Sequence, residues 1–417
     1  MIDAIIFEKV KKRIELYRDA MIRMQIELTA IPALSPDNGG QGESEKARYL
    51  SEKLRALGFE HIQKIYAPDE RVSSGVRPNI LVTRPGKRPD KTTWILTHLD
   101  IVPPGEKALW SEDPYKGYQK GERIYGRGTE DNQQDLVASI FAAKALMDEG
   151  VVPENTLGLA FVADEETASQ YGLAYLLQHQ DNPFRKSDLL VAPDSGNEDG
   201  SLIEIAEKSI CWLRFRTIGK QCHASRPELG RNAFLAASHL VVRLHDLHRI
   251  FAAVDPLYHP PASTFQPTKK EMNVPNVNTI PGEDVFYLDS RILPQYPLSD
   301  VFNQIRRMAD DIEKQFGVTI EIETVQAVQA PSPTPGDAPV VLALQEAIRD
   351  VYQVEATPQG IGAGTVAAYF RREGYPVAVW CRIGSTAHQP DEHCLIDNMI
   401  GNAKVYAHLF LQAKRDF

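Results

Sequence analysis

Short apolar runs alternate with amphipathic, helix-like stretches over the first half of the chain and again near its end. Within each run the apolar residues are nearly continuous, which is typical of strands buried on both faces of a sheet. The runs cover residues 79–82, 93–99, 156–163, 188–192 and 376–382. The segments between them include predicted helices at 43–57 and 134–149, the second ended by Gly150. This pattern predicts an α/β domain whose sheet carries helices on both sides.

The pattern changes at about residue 210. The segment ICWLRFRTI alternates apolar and polar residues, as a half-buried strand does. We predict that it is followed by a helix at 232–251, strands at 273–280 and 285–292, a helix from Ser299 to Gly317, and the strand VTIEIETV. The resulting order, βαββαβ, is that of ferredoxin-like domains. The proline-rich segment AVQAPSPTPGDAP then returns the chain. We therefore predict one domain of residues 1–208 and 327–417 that encloses an inserted domain of residues 209–326.

Composition limits the class of protein. A chain of 417 residues with 43% hydrophobic content is long enough for two cores. Its net charge of −10 argues against nucleic acid and anionic membranes as partners, and favours a small molecule. The N-terminal sequence MIDAIIFEKVKKRIELYRD mixes charges into its apolar positions, unlike a signal peptide or a spanning segment, so we expect a cytoplasmic protein. The four cysteines form no CxxC pair, and we expect them to be reduced.

Acidic residues and histidines follow the apolar runs, at the strand ends where sites assemble in α/β sheets. In chain order they are His98 and Asp100 in WILTHLD, Asp131 in YGRGTEDNQQD, Glu165 and Glu166 in LAFVADEET, Asp194 in LLVAPDSG, and His388 in VWCRIGSTAHQPDE. Unpaired buried carboxylates are costly, so this many of them indicates a common partner. Two histidines with several carboxylates and no thiolate pattern suit one or two divalent ions, with zinc first and manganese or cobalt as alternatives.

Spacing adds two details to this metal hypothesis. His98 and Asp100 lie two residues apart, so they face the same side of an extended segment and Asp100 can orient the imidazole. A carboxylate that bridges two ions holds them about 3.5–4 Å apart, which is the separation used in two-metal hydrolysis.

Four motifs, taken together and in this order, resemble the M20-type family of metallopeptidases and deacylases. This family includes acetylornithine deacetylase, succinyl-diaminopimelate desuccinylase, aminoacylase and glutamate carboxypeptidase. The motifs are HLD at 98–100, YGRGTED at 125–131, DEE at 164–166 and AHQPDE at 387–392. Further similarity at CHASRPELGRNA, NTIPGE and LDSRILP extends the resemblance to the inserted domain. It implies a zinc-peptidase-like catalytic domain with a mixed sheet, and a ferredoxin-like insertion that acts as a lid and forms a homodimer.

The resemblance also implies roles for the residues of the first domain. Asp131 would bridge two ions. The other ligands would be His98 and Asp194 for one ion, and Glu166 and His388 for the other. Glu165 would be the general base, taking a proton from water activated by the metal pair and passing it to the leaving amine, while Asp100 orients His98.

In the inserted domain, the resemblance implies that His223 stabilises the oxyanion, and in this family such a histidine can come from the partner subunit. Arg291, Asn278 and Arg231 are the candidate substrate contacts, because a guanidinium suits bidentate capture of a carboxylate. The chain departs from the family pattern at two positions. They are Cys222, where a small residue is common, and Val366, where an aspartate is common.

The residues together predict a two-metal hydrolase that cleaves an amide or peptide bond in a small substrate bearing a carboxylate, either an N-acyl amino acid or a short peptide. Two alternatives stay open: a dipeptidase or carboxypeptidase specifically, and a noncatalytic relative that binds metal or peptide. Glu165 argues against the second alternative, since a binding protein needs no general base. We expect the remaining acids and histidines of these regions to be structural or solvated, namely Asp391, Glu392, His393, His239, His245 and His248.

Overall fold

The structure is a computed structural model that describes residues 2–412. Its helices are α1 (Ala4–Leu16), α2 (Arg18–Thr29), α3 (Ser44–Ala56), α4 (Gln134–Asp148), α5 (Leu173–Gln178), α6 (Ala233–Leu244), α7 (Leu247–Ile250), α8 (Leu298–Phe316), α9 (Pro339–Tyr352), α10 (Ala367–Arg372) and α11 (Ile396–Leu411). Its strands are β1 (His61–Pro68), β2 (Val76–Arg84), β3 (Arg88–His98), β4 (Tyr118–Lys120), β5 (Arg123–Tyr125), β6 (Asn155–Val162), β7 (Leu189–Asn197), β8 (Leu202–Glu207), β9 (Ser209–Ile218), β10 (Cys222–His223), β11 (Thr264–Lys270), β12 (Thr279–Ile280), β13 (Glu283–Ile292), β14 (Thr319–Val328), β15 (Thr357–Ile361), β16 (Val377–Arg382) and β17 (His393–Leu395).

The chain divides into two compact units. Unit one contains the chain up to Ile205, the segment Thr334–Pro358 and the chain from Thr365 onward. Unit two contains Ala206–Pro333 and the short loop Gln359–Gly364. The prediction of an insertion at residues 209–326 did not include this loop.

Unit one is built on a mixed sheet with the strand order β1-β2-β6-β3-β7-β16-β8-β15. At its centre β3 runs parallel to β6 and β7, and β16 runs parallel to β7, whereas β1 and β2 are antiparallel to their neighbours. The five predicted apolar runs all fall largely within strands of this sheet. The predicted α/β class is therefore confirmed, and the carboxyl ends of four parallel strands meet at one edge.

Two strand partners at the centre of the sheet show how closely unit one is packed. Trp94 of β3 pairs with Gly158 of β6. A Cβ atom at position 158 would lie 2.4 Å from an atom of the indole ring, closer than two carbon atoms can approach. The buried tryptophan therefore requires glycine on the neighbouring strand.

Helix α4 connects the core of unit one to the region of Asp131. It packs against α1, α2 and α11 on one side and against β3 and β6 on the other. Nearly every residue from Gln134 to Leu146 is buried, so the start of the helix is held firmly. Asp131 lies three residues before this start, so the packing of α4 anchors the chain close to Asp131.

Unit two has a four-stranded antiparallel sheet with the order β11-β13-β9-β14. Alternate residues of β9 are buried, as the sequence predicts. Helix α8 places apolar residues three or four positions apart against the sheet and ends at Gly317, whose φ of 64° is readily adopted by glycine. Its buried residues are Leu298, Val301, Ile305, Met308, Ala309 and Ile312. The order and strand directions are those of the predicted ferredoxin-like domain.

Two predicted elements of unit two are wrong. The helix at 232–251 is broken into α6 and α7. The strand at 273–280 is a loop except for β12, and the fourth strand of the sheet is β11 instead. Strand β11 lies at the sheet edge, contains Pro267 and two lysines, and has an irregular register after Pro267, so it lacks the apolar alternation of a half-buried strand.

No helix within residues 2–412 is long and apolar enough to cross a membrane. The four cysteines are unpaired, with Cys211, Cys381 and Cys394 buried and Cys222 partly exposed.

Candidate active site

The parallel strands of unit one deliver the candidate residues to one edge of the sheet. His98 is the last residue of β3, and Asp194 lies in the last part of β7. Glu165 and Glu166 follow β6, and His388 lies in the loop after β16. Because these four strands are parallel to one another, their carboxyl ends bring the side chains together.

Asp131 lies at the centre of this cluster, and its two carboxylate oxygens face different histidines. Its Oδ1 is 3.0 Å from Nε2 of His98, and its Oδ2 is 3.1 Å from Nε2 of His388. The same nitrogen of His98 is 3.7 Å from Oδ1 of Asp194. Nε2 of His388 is 3.3 Å from Oε1 of Glu166. The structure thus brings together all five predicted metal ligands, arranged as two sets on either side of Asp131.

The donor atoms fit a divalent cation. Two overlapping groups, His98 with Glu165 and Asp194 and His98 with Asp131 and Glu166, place one ligand atom per residue within 4.8 Å of one another. Imidazole nitrogen and carboxylate oxygen are the donors that zinc and related divalent ions use in proteins. The cluster contains more acids than bases, so a cation among them would relieve the repulsion between carboxylates.

The acids affect one another's ionisation. Burial, followed by the charge of Asp131, raises the pKa of Glu166 to about 7 and that of Asp194 to about 6. Burial and then Asp194 raise the pKa of Glu165 well above its usual range. Asp131 is the exception: burial disfavours its charged form, but hydrogen bonds with His388 and His98 outweigh burial and hold its pKa below the usual range.

Asp100 supports the site through two different groups. Its backbone carbonyl is 2.9 Å from Nδ1 of His98, so the carbonyl orients the ring and leaves Nε2 directed at Asp131. Its carboxylate lies farther from that nitrogen, at 3.6 Å, and instead accepts hydrogen bonds from the backbone N–H groups of Glu165 and Glu166, each over 3.0 Å. The predicted orienting role thus falls mainly to the carbonyl, while the carboxylate holds the loop that carries the two glutamates.

Two acids hold ligand-bearing loops: Glu392, which the sequence predicts to be structural or solvated and which is structural, and Glu130, which sequence reasoning missed. Glu392 is fully buried, and its Oε1 accepts the backbone N–H groups of Glu130 and Asp131, while its Oε2 accepts from Arg127. Glu130 in turn accepts from the backbone N–H of Gly384 and from both the N–H and the hydroxyl of Thr386, which hold the loop leading to His388. Both acids belong to motifs that carry the family resemblance, Glu130 to YGRGTED and Glu392 to AHQPDE. Their place in these motifs is the only indication that the sequence gives of their role.

Asn132 is a second residue that sequence reasoning missed. Its side-chain oxygen accepts the backbone N–H of His98 over 3.3 Å, and its side-chain nitrogen donates to the carbonyl of Pro193 over 3.2 Å. One buried amide therefore ties together the ends of β3 and β7, next to two of the candidate ligands.

His223 lies in unit two, where β10 pairs with β12. The ring is exposed, and its Nδ1 accepts the backbone N–H of Ser225 over 3.2 Å and lies 2.8 Å from the hydroxyl of Ser225. An accepting Nδ1 places the proton of the neutral ring on Nε2, which is then the donor. Asn278 is close to this turn, since its carbonyl accepts the N–H of Ala224 over 2.8 Å.

The two candidate arginines also belong to unit two. Arg291 donates from Nε and Nη2 to the carboxylate of Asp289 and from Nη1 to the carbonyl of Gly362 over 2.8 Å. Arg231 is exposed and lies beside Gly317, where α8 ends and a positive charge is favourable. Both arginines therefore have structural contacts, and their roles toward substrate stay predictions.

Comparison with known proteins agrees with this arrangement. The model of peptidase family M20/M25/M40 matches residues 94–412. An uncharacterized metallohydrolase of Methanococcus maripaludis is 40% identical over 407 residues, which cover 93% of this chain and 98% of that protein. The succinyl-diaminopimelate desuccinylase of Paracoccus denitrificans is 27% identical over 90% of this chain and 93% of its own length.

The fold is also that of human carnosine dipeptidase 1, with a TM-score of 0.69, 18% identity, and coverage of 97% of this chain and 99% of that one. The family match covers more than half of the chain and includes all the candidate ligands. The chain therefore belongs to peptidase family M20/M25/M40 and is a metal-dependent hydrolase that acts on amide or peptide bonds.

Proposed function

We propose that this protein uses two divalent ions, zinc in the first place and cobalt or manganese as alternatives, to hydrolyse the amide bond of a small substrate that carries a carboxylate. The observation that carries the proposal is the position of Asp131 between two histidines, with one carboxylate oxygen 3.0 Å from His98 and the other 3.1 Å from His388. A carboxylate that presents its two oxygens to separate ligand sets is suited to bridge two ions.

The ligands would divide into two sets that share Asp131. His98 and Asp194 would hold one ion, and His388 and Glu166 would hold the other. Bound ions would polarise the scissile carbonyl and make water more acidic. The alternation of imidazole and carboxylate around Asp131 supports zinc, because zinc accepts both donor types in a small coordination shell.

Glu165 is the proposed general base. It lies in the cluster but is not needed to complete either ligand set, and its backbone is held by Asp100. Burial and the neighbouring acids raise its pKa well above the usual range, so its carboxylate is a stronger base than that of an ordinary glutamate. A carboxyl group of this kind can take a proton from water and then donate it to the leaving amine.

His223 is the proposed oxyanion donor. The hydrogen bond from the N–H of Ser225 to Nδ1 leaves the proton of the neutral ring on Nε2, and the exposed ring presents that N–H to solvent. We propose Arg291, Asn278 and Arg231 as substrate contacts. The two arginines are supported by their chemistry, since a guanidinium can recognise a carboxylate through two parallel hydrogen bonds.

We also propose that the protein is a homodimer that forms through unit two. Helix α6 exposes Phe234, Leu235 and Val242, with Val242 75% exposed. Strand β11, one of the two edge strands of the sheet, borders the same groove as Phe234 and Val242. An exposed apolar helix beside a free strand edge is a surface that a second copy can cover. A Val242→Asp variant should then be a monomer by light scattering, and a monomeric parent protein would contradict the proposal.

The cytoplasmic location stays a prediction.

The substrate class has two candidates. The resemblance to a desuccinylase favours an N-acyl amino acid, whereas the fold shared with a dipeptidase favours a short peptide. We favour the N-acyl amino acid, because the sequence similarity to the desuccinylase spans 90% of the chain while the dipeptidase shares the fold alone.

The test is hydrolysis of N-acetyl and N-succinyl amino acids and of dipeptides by protein stripped of metal with a chelator. Each substrate is assayed before and after zinc, cobalt or manganese is added, with Glu165→Gln as the inactive reference. We expect turnover only with added metal, and faster for the acylated amino acids than for dipeptides. Faster cleavage of dipeptides would identify a peptidase, and bound metal without turnover on any substrate would identify a noncatalytic relative.

A further inference from the structure

Two buried carboxylates hold the backbone of residues 164–166. The N–H of Asp164 donates to Oε1 of Glu43 over 3.3 Å. The N–H groups of Glu165 and Glu166 donate to the two oxygens of Asp100, each over 3.0 Å. The positions of the proposed base and of one proposed ligand therefore depend on two negative charges in the interior.

One of these two carboxylates, that of Glu43, is paired with an arginine. Arg77 donates from Nε and Nη2 to the two carboxylate oxygens of Glu43, and it also reaches Asp164. Asp100 differs, because within residues 2–412 no lysine or arginine lies within salt-bridge distance of its carboxylate. Its nearest basic group is Nδ1 of His98, at 3.6 Å.

Lys46 is a buried cation in the same region without a hydrogen bond. It follows Glu43 by three residues at the start of α3, so both side chains point from the same face of the helix into the interior. Lys46 is 1% exposed, and its Nζ has no hydrogen-bond partner among the described residues. The other buried basic side chains of unit one are all paired, namely Arg77 with Glu43, Arg127 with Glu392 and Arg371 with Glu204.

An isolated ammonium in a protein interior is unstable unless negative charges surround it. Burial lowers the pKa of Lys46 to about 8, and the charges that oppose this are Asp100 first, then Glu43 and Glu392. Each of these three acids accepts a backbone N–H group of a loop that carries a candidate ligand or the base. The charge of the buried Lys46 thus acts on the three acids that hold these loops, and Asp100 is the one of the three with no arginine or lysine at salt-bridge distance among residues 2–412.

We propose that Lys46 is the buried countercharge of Asp100 and stabilises the site before metal ions bind. This inference rests on the proposed metal cluster. When divalent ions enter, they supply positive charge to the same acids and are repelled by the ammonium, so Lys46 stabilises the metal-free protein more than the metal-bound one. Lys46 is a positioning residue, since it holds the Asp100 region and touches neither the ligands nor the substrate.

The test compares the parent protein with Lys46→Met, whose unbranched side chain is slightly shorter and carries no charge. Thermal unfolding is measured without and with zinc, and the zinc dissociation constant is measured by competition with a chelating dye. Lys53→Met is the matched control, because Lys53 lies on the same helix, is 40% exposed and pairs with Glu27 at the surface.

We expect Lys46→Met to lower the unfolding midpoint of the metal-free protein more than that of the zinc-bound protein. We also expect it to bind zinc at least about tenfold more tightly, since one nearby charge shifts a protonation equilibrium by about one to three pKa units. Lys53→Met should change neither the zinc affinity nor the amount by which zinc raises the midpoint of thermal unfolding. An equal loss of stability in both forms, with unchanged zinc affinity, would overturn the proposal, as would weaker zinc binding.

Folding of the variant gives a further outcome. A Lys46→Met protein that folds only when zinc is present supports the proposal, because the ions then replace the missing charge. A variant that folds in neither condition overturns it. The partner is tested in the metal-free protein with a double-mutant cycle, in which Lys46→Met should destabilise Asp100→Asn less than it destabilises the parent. Additive effects would exclude Asp100 as the partner.

The zinc titration of the parent protein, together with the hydrolysis assay, separates this inference from the proposed function. A parent protein that binds zinc but shows no turnover refutes the proposed reaction and leaves the role of Lys46 intact. A parent protein that binds no divalent ion refutes both.

Discussion

The carboxylate of Glu392 accepts the backbone N–H of Asp131 over 3.2 Å, although the two residues are 261 positions apart in the sequence. Its second oxygen accepts from Arg127, whose guanidinium packs over the ring of Trp110. The backbone of Asp131, the proposed bridging residue, is therefore held by an acid from a distant part of the chain. Acids of this kind, which hold a ligand without touching the metal, commonly affect metal affinity.

We expect Glu392→Gln to weaken zinc binding by about 10- to 100-fold and to lower the free energy of unfolding by about 3–5 kcal/mol. Gln would present an N–H group to Arg127 and leave its buried charge without a partner. Burial raises the pKa of Glu392 to about 7 despite Arg127. Every described group that contacts its side chain is nevertheless a donor, so the acid should be ionised at about pH 8, where urea unfolding and zinc titration are carried out.

The control for this variant is Glu122→Gln. Glu122 pairs with Arg18 at the surface, where its side chain is 65% exposed. Removing an exposed pair changes stability by at most about 1 kcal/mol, and we expect no change in zinc affinity. If Glu392→Gln behaved like this control, Glu392 would have no role in holding Asp131.

Replacement of the proposed base should separate chemistry from metal binding. We expect Glu165→Gln to lower kcat by about 10²- to 10⁴-fold, because the amide cannot accept a proton from water. Zinc content should stay the same, since Glu165 belongs to neither of the two proposed ligand sets that share Asp131. The measurements are kcat on the best substrate and zinc content by atomic emission, with Glu60→Gln, an exposed acid of unit one, as the control. Full turnover by Glu165→Gln would refute the base assignment.

His223 of unit two should stabilise the transition state more than it stabilises bound substrate. We expect His223→Ala to lower kcat by about 10²- to 10³-fold with little change in KM, as removal of other oxyanion donors does. Ser225→Ala should be milder, because the backbone N–H of Ser225 still donates to Nδ1. His245→Ala, which removes an exposed histidine of the same unit, is the control.

A mixing experiment tests whether His223 serves the partner subunit. If it does, His223→Ala and Glu165→Gln proteins, each slowed at least about 100-fold alone, should regain turnover when they exchange subunits. One site of the mixed dimer would then contain both an intact base and an intact histidine. No recovery, in a mixture shown to exchange subunits, would mean that each histidine serves its own chain.

The sequence predicts the strands of unit one, and the clustering of the candidate ligands at their ends, because both depend on local pattern. Buried parallel strands are nearly continuous apolar runs, and the candidate ligands other than Asp131 stand where these runs end. The edge strand β11 was missed for the opposite reason, since its lysines and Pro267 face solvent and carry no apolar alternation. The helix at 232–251 was predicted as continuous because its apolar spacing extends past the break after Leu244.

The supporting residues of the site could not be assigned from the sequence. Glu392, Glu130 and Asn132 lie next to motif residues, but nothing local distinguishes an acid that holds a backbone N–H from one that faces water. Glu130 holds a loop 254 to 256 positions away. Such contacts depend on the fold as a whole. For the same reason the sequence does not show that the carbonyl of Asp100, rather than its carboxylate, makes the shorter contact with His98.

Outside the active site, His408 should make the stability of unit one depend on pH. The ring is fully buried, Nε2 lies 3.0 Å from Oδ2 of Asp350, and Nδ1 accepts from Nε2 of Gln412 over 3.0 Å. Because Nδ1 accepts, the neutral ring carries its proton on Nε2 and donates to Asp350. Burial lowers the pKa of His408 below its ordinary value of 6.5, and Asp350 opposes this only in part.

The sign of the effect follows from this lowered pKa. As pH falls below 6.5, the unfolded chain takes up a proton on His408 that the folded protein does not, so the free energy of unfolding decreases. We expect the parent protein to lose more stability than His408→Gln between about pH 7.5 and about pH 5.5, measured by urea unfolding of metal-free protein. His61→Gln, which removes an exposed histidine, is the control. Equal losses in the parent and in His408→Gln would show that the folded protein also protonates this ring, and that Asp350 outweighs burial.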